Sequence, residues 1–173
     1  MLYARAMGDA FEELPEQLRA FHNVEDSNLY AGEVTVTHGH ALSRGIAKAG
    51  GMPAASGTMP FRFRATRDGE TEIWERRFGN HMTRSLQWLD EPGIVAERIG
   101  TSTFHMAPVP RNGTLYIPVV AMRGFGLPVP RPAIASCEGV EGVRDDGAVT
   151  FDVHARLHGL GLVIRYQGWM APA

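Results

Sequence analysis

The sequence predicts a mainly β fold with α+β character at its N-terminus: a curled antiparallel sheet forming a barrel or half-barrel, with one or two short helices. Three observations lead there. After Pro60, short segments of alternating apolar and polar residues run to the C-terminus, separated by turn pairs such as Asp68-Gly69, Asn112-Gly113 and Asp146-Gly147. No strand–helix–strand alternation interrupts them, which argues against a parallel sheet. About eight antiparallel strands laid flat would leave long unpaired edges, and curling into a barrel removes them.

The elements follow in order. Phe11, Leu14, Leu18 and Phe21 recur at helical spacing, with Glu12, Glu13, Glu16, Gln17 and Arg19 on the other faces. Because Pro15 is tolerated only in a first turn, the regular helix is expected from Leu14 to Asn23. A strand over Tyr30 to Thr37 and a helix over His40 to Ala49, ended by Gly50, Gly51 and Pro53, come next. The hairpin around Asp68-Gly69 joins Phe61, Phe63 and Ala65 to Glu72 to Phe78. Further strands are expected over Met82 to Leu89, Ile94 to Ile99, Thr103 to Val109, Thr114 to Met122, Ile134 to Glu138, Val149 to Leu157 and Leu162 to Trp169. Gly124 to Pro132, with Pro128, Pro130 and Pro132, reads as an ordered loop over an edge or mouth. The 173 residues suit one domain, in which a helix–strand–helix segment over 1–53 packs on an antiparallel meander over 58–170.

Composition excludes several classes. Hydrophobic residues at 44% and charged residues at 21% are those of a globular chain, neither disordered nor fibrous. The 17 Lys plus Arg are scattered among 19 Asp plus Glu without a basic run, so neither a nucleic-acid nor an anionic-membrane footprint is expected. Cys137 is the single cysteine, which rules out an internal disulfide and a thiolate zinc site and fits a reducing compartment. With no signal-peptide pattern and no apolar stretch of about 18 residues, a cytoplasmic protein is expected.

Several residues could carry chemistry. On the strand Glu72 to Phe78, alternation puts Trp74, Arg76 and Phe78 on one face. If that face is interior, Arg76 could grip a carboxylate, phosphate or carbonyl of a ligand beside the rings. The alternatives are a surface ladder in which Arg76 covers Trp74, and a buried structural ion pair with Glu91 or Glu138. Asp152 and His154 share the polar face of the next-to-last strand, spaced for acid/base work if that face lines a cavity and simply solvated if it does not. Tyr166 could aim its hydroxyl into a pocket or serve as a core tyrosine. Cys137 is equally a nucleophile or a small core residue. His38-Gly39-His40 has metal-like spacing but no completing ligands, so capping of the following helix is favoured and no metal is expected. With no GxSxG elbow, GxxxxGK[ST] loop or GxGxxG turn, no nucleotide cofactor is expected.

Taken in order, Leu14-Pro15, Tyr30 to Thr37 with Gly32, Gly51-Met52-Pro53, Trp74-Glu75-Arg76-Arg77-Phe78, Met82 to Ser85, Glu91-Pro92-Gly93, Arg123 to Pro130, Phe151-Asp152-Val153 and Tyr166-Gln167-Gly168-Trp169 resemble the domain of unknown function 4166 family. The resemblance spans nearly the whole chain. The family occurs as stand-alone proteins, as a tail on saccharopine-dehydrogenase-like oxidoreductases and as a tail on a bacterial membrane protein. It carries over no activity. It implies that Trp74, Arg76, Phe78, Glu91, Tyr166 and Trp169 match recurring positions and are the leading ligand-site residues. Without a dinucleotide-binding domain, this sequence is not expected to perform the hydride transfer of a fusion partner. Three functions follow as expectations: a barrel pocket holding a small hydrophobic or amphipathic molecule; a cofactor-independent isomerase, cyclase or lyase using Asp152, His154 or Tyr166; or an accessory domain docking on an oxidoreductase, with a homodimer compatible with each.

Overall fold

A computed structural model describes residues 1–173, with every side chain but that of Ala135. The N-terminus forms helix α1 (Leu2–Met7), a 3-10 turn (Gly8–Glu13) and helix α2 (Glu16–His22). Strand β1 (Ser27–His38) and helix α3 (Ala41–Ala49) precede eleven further strands. These are β2 (Gly57–Asp68), β3 (Thr71–Phe78), β4 (His81–Glu91), β5 (Ile94–Ile99), β6 (Ser102–Met106), β7 (Val109–Arg111), β8 (Thr114–Gly124), β9 (Leu127–Pro128), β10 (Ile134–Val143), β11 (Val149–Leu157) and β12 (Gly161–Pro172).

The sheet is a closed barrel. Strands pair antiparallel in the order β10-β11-β12-β1-β2-β3-β4-β5-β6-β8, and β8 returns to β10 through Glu138↔Pro118 to Glu141↔Leu115. Ten strands therefore form the wall, and no long edge is left unpaired. β7 continues the edge of β6 along β8 after a break at Ala107-Pro108, where the Ala107 N–H donates to the Pro118 carbonyl. The turn between β7 and β8 is Asn112-Gly113, with φ of 49° and 76°, the left-handed pair that two-residue hairpins favour.

Three expectations change. β1 does not pack on the sheet as part of a leading segment; it lies within the wall, hydrogen-bonded to β12 on one side and β2 on the other. Pro15 stays extended ahead of α2, so the helical run from Asp9 breaks into a 3-10 turn and a seven-residue helix. α1 is an additional helix whose six residues are too few to display a period. Gly124 closes wall strand β8, and the rest of the segment to Pro132 is, as expected, no wall strand: β9 makes a small hairpin with β8, and a 3-10 turn (Arg131–Ala133) follows. Among the described residues no helix is long and apolar enough to cross a membrane.

One end of the barrel is plugged. Leu2, Tyr3, Phe11, Leu18 and Phe21 are buried there, and Phe21 lies 4.9 Å from Phe63 and 5.8 Å from Trp74 between ring centroids. Each apolar side chain so buried is worth roughly 1.5–3 kcal/mol, which explains how two short helices hold their place. The Leu2 N–H also donates to Glu72 Oε1 at 3.2 Å, tying α1 to β3.

β1 and β12 approach so closely that two positions admit only glycine. A Cβ on Gly32 would stand 1.9 Å from the Trp169 carbonyl oxygen, and one on Gly168 would stand 2.0 Å from that of Glu33. Gly32→Ala and Gly168→Ala are each expected to cost about 1–3 kcal/mol or more, because backbone rather than a flexible side chain must yield. Gly45→Ala in α3 meets open space and should instead stabilise by roughly 0.5–1 kcal/mol. Urea unfolding midpoints of the three variants check the contrast.

Candidate functional site

β3, β4 and β5 deliver a row of polar side chains to the barrel interior. Glu72, Trp74, Arg76 and Phe78 of β3 are buried, as are Thr83, Ser85 and Gln87 of β4 and Glu97 of β5. Arg76 Nη2 donates to Glu97 Oε1 at 2.8 Å, Arg76 Nη1 donates to Ser85 Oγ at 3.0 Å, and the Ser85 hydroxyl donates to the same Glu97 oxygen at 2.6 Å. The guanidinium lies 5.0 Å from the Trp74 ring centroid. Burial by itself would raise the Glu97 carboxyl, but the charge of Arg76 and hydrogen bonds from Ser85, Arg76 and Gln87 hold it below its ordinary value. Arg76 is likewise opposed by burial and held charged by Glu97.

This cluster borders a cavity of about 200 Å³. Its walls are largely apolar, supplied by residues such as Phe104, Ile117, Val119 and Val153, and at the end away from α1 by Ile46, Ala47 and Met52. Tyr3, Trp74, Arg76, Gln87, Glu97 and Tyr166 form its polar side. Gln87 is 1% exposed, and its Oε1 has no hydrogen-bond partner. A buried acceptor left unpaired costs about 1–3 kcal/mol, so this oxygen is an invitation to a donor. Burial, reinforced by Glu97 and opposed by Arg76, raises the Tyr166 hydroxyl well above the usual tyrosine range; burial and then Glu141, Glu97 and Glu72 do the same to Tyr3. Both phenols therefore remain protonated donors. Burial, with Glu97 and Glu138, pushes the Cys137 thiol up to about 12, a value unsuited to a nucleophile.

The residues singled out from sequence divide into groups. Trp74, Arg76 and Tyr166 meet on the cavity. Phe78 packs behind them, 5.4 Å from the Tyr166 ring and 5.2 Å from Phe61. Arg76 does form a buried ion pair, but its partner is Glu97 rather than Glu91 or Glu138. Glu91 lies exposed at the plugged end, at the far terminus of β4, and Glu138 shares its register position with His154 on the next strand. His154 shares the face of β11 that carries Asp152, and its Nε2 pairs with Ser136 Oγ at 3.0 Å. Asp152 is on the outer surface, where Arg165 Nε donates to it at 2.8 Å and holds its carboxyl below the ordinary value. Asp152 and Trp169 instead meet in a shallow outer groove, with Arg144 4.7 Å over the Trp169 ring.

His38 and His40 do not cap α3 with their side chains. His38 Nε2 donates to the Pro53 carbonyl at 2.9 Å while Nδ1 pairs with Ser56 Oγ at 2.9 Å, which fastens the segment after α3 to β1. At the plugged end, His22 Nε2 meets Glu141 Oε2 at 2.6 Å, and Trp74 Nε1 donates to Glu72 Oε2 at 3.0 Å. Tyr3, Gln87 and Glu97 were not singled out from sequence. The signal for Glu97 was present: an acid on the same face as Val95 and Ile99, two apolar residues of one strand, asks for a buried cation.

The Arg76–Glu97 pair makes a pH-dependent prediction. Arg76→Leu leaves Glu97 buried without a counter-charge and should cost about 3–5 kcal/mol at pH 7. In the native chain the Glu97 contribution is complete above the ordinary value of 4.5 and is lost as acid protonates the carboxyl at lower pH. In Arg76→Leu, protonation relieves the stranded charge, so the stability deficit shrinks on acidification. Adding Glu97→Leu should recover most of it at pH 7. Guanidinium melts of the three proteins across pH test this, and a deficit independent of pH would refute it.

No curated protein matches the chain. The crystal structure of Rv2717c from M. tuberculosis is similar over 92% of this chain and 99% of that one, at 10% identity and a TM-score of 0.47. Residues 14–170 match the family described as Domain of unknown function (DUF4166), which covers nearly every strand of the barrel and all of the cavity wall except α1. The chain belongs to that family.

Proposed function

We propose that the barrel binds one small amphipathic molecule, with its apolar body against the aliphatic walls and its hydrogen-bonding head at the Gln87–Arg76–Tyr166 side. The observation that carries this reading is the unpaired, buried Oε1 of Gln87, a residue on the polar side of a cavity whose other walls are largely apolar. A head group that donates to Gln87 and accepts from the Tyr3 and Tyr166 hydroxyls would satisfy the polar side without disturbing the Arg76–Glu97 pair. Arg76 then acts through its field and through Trp74, since two of its nitrogens are already engaged.

The isomerase, cyclase or lyase alternative needs a group poised to exchange a proton near neutral pH. Of the three residues that reading relies on, Tyr166 is held protonated by burial, Asp152 is paired with Arg165 on the outer surface, and His154 is engaged by Ser136 Oγ at 3.0 Å. Asp152 and His154 thus stand away from the polar side of the cavity, which favours binding over catalysis there.

Native mass spectrometry of the protein purified from its own host should show a retained small molecule, released on denaturation. Gly139→Leu, which projects a side chain into the cavity between Ile117 and Val153, should abolish retention. Gln87→Leu should keep the fold and weaken binding roughly tenfold, the worth of one buried hydrogen bond. An empty native protein that also fails to bind an amphipathic fluorescent dye saturably would refute the proposal.

A further inference from the structure

The antiparallel wall separates the chain's turns into two sets. At the plugged end lie the starts of β1 and β3 and the turns after β4 and β10. At the other end lie α3, the turns β3–β4, β5–β6 and β11–β12, and the β8–β9 hairpin. Contacts tie this second set together: His81 Nε2 and Thr83 Oγ1 donate to the Gly51 carbonyl after α3, and the Phe125 N–H donates to the Thr101 carbonyl. The cavity reaches this end, where Ile46, Ala47 and Met52 line it.

Its surface is unusual in two independent ways. Large apolar side chains are exposed there: Leu42 on α3, with Ile46 at the rim of the cavity, Met82 at the start of β4, and Phe125 and Leu127, which are 81% and 71% exposed. Phe125 holds this position at φ 52°, a conformation that bulky residues rarely adopt. Charge is also sorted. The segments 38–58, 78–82, 98–103, 121–135 and 156–162 contain Arg44, Lys48, Arg98, Arg123, Arg131 and Arg156, all exposed, and not one Asp or Glu. None of these six cations enters an ion pair among the described residues. All 19 carboxylates of the chain lie elsewhere.

We propose that this end docks on an anionic lipid bilayer, with Phe125, Leu127 and the outer face of α3 entering the headgroup layer and the ring of cations above it meeting lipid phosphates. Protruding apolar side chains surrounded by cations free of acids are the chemistry of an interfacial membrane contact, and the cationic ring matches a negative surface rather than a second copy of itself. The docking rests on these surface observations alone. Its consequence, that the ligand passes between bilayer and cavity beside α3, rests in addition on the proposed pocket.

Co-sedimentation of the full chain with phosphatidylcholine vesicles, and with vesicles that also contain phosphatidylglycerol, tests the docking. The chain should pellet with the anionic vesicles only, and raising salt from about 0.05 M to about 0.5 M should release it. Arg44→Glu combined with Lys48→Glu should lower partitioning by on the order of tenfold or more, since each surface cation near anionic lipid contributes severalfold. Phe125→Ser with Leu127→Ser should lower it comparably with unchanged thermal melting, because both side chains are in solvent. Absence of pelleting, equal pelleting with both vesicle types, or indifference to both double variants would overturn the proposal. So would a dimer in analytical ultracentrifugation that Phe125→Ser dissolves, which would assign the face to a second copy. Ligand retention measured without vesicles is a separate readout: docking without a retained ligand removes the pocket alone, and a retained ligand without docking removes the membrane contact alone.

Discussion

The short pairing between β8 and β10 is the constraint on which the rest depends. Four register pairs, Glu138↔Pro118 to Glu141↔Leu115, turn a long sheet into a barrel and so create an inside. Pro118 can sit in this ladder because β8 changes partner there, from β7 to β6 on its other edge, and its carbonyl still accepts from Ala107. The same register aims Glu141 inward at His22 and puts Gly139, which has no side chain, opposite Ile117. A residue of slip would turn Glu141 out and leave the plug without its anchor.

Closing a barrel over charged groups would be unfavourable without their mutual satisfaction. Arg76, Ser85, Glu97 and Gln87 form a small network in which each member except Gln87 finds its partners, and the Gln87 oxygen is the residue of that accounting. The network lies across three neighbouring strands, so it fixes their relative positions as well as the polarity of the cavity. Satisfied groups there cannot also grip a ligand strongly, so in the proposed binding the free acceptor and the phenols, rather than the ion pair, meet the head group.

The fold was legible because turn residues and alternation are local signals. Asp68-Gly69 and Asn112-Gly113 mark hairpins wherever they fall, and most strands stand where alternation put them. The site was less legible because β4 reverses the usual sense: Thr83, Ser85 and Gln87 are buried while Leu86 and Trp88 are only half-buried on the outer face. A sequence reader assigns such a strand's apolar face to the core and loses Gln87. Choosing Glu91 or Glu138 instead of Glu97 as the partner of Arg76 failed for a related reason, since strand-to-strand register is a non-local property. Asp152 and His154 share a face as alternation required, but only tertiary closure decides whether that face is inside.

Charge distribution was the least legible feature. The six cations of the open end are spread from position 44 to position 156, so no window of sequence contains a basic run. An antiparallel barrel collects every second turn at one end, and a charge pattern spread evenly along the chain becomes two faces of opposite character. The wall and the plugged end hold all the carboxylates, together with cations that pair with them and the buried anchors of the plug. The other end receives six cations and no carboxylate, the exposed apolar tips and α3, which borders the cavity. A near-neutral chain thus acquires one end free of carboxylates, and the proposed membrane contact would present the α3 side of the cavity to the bilayer.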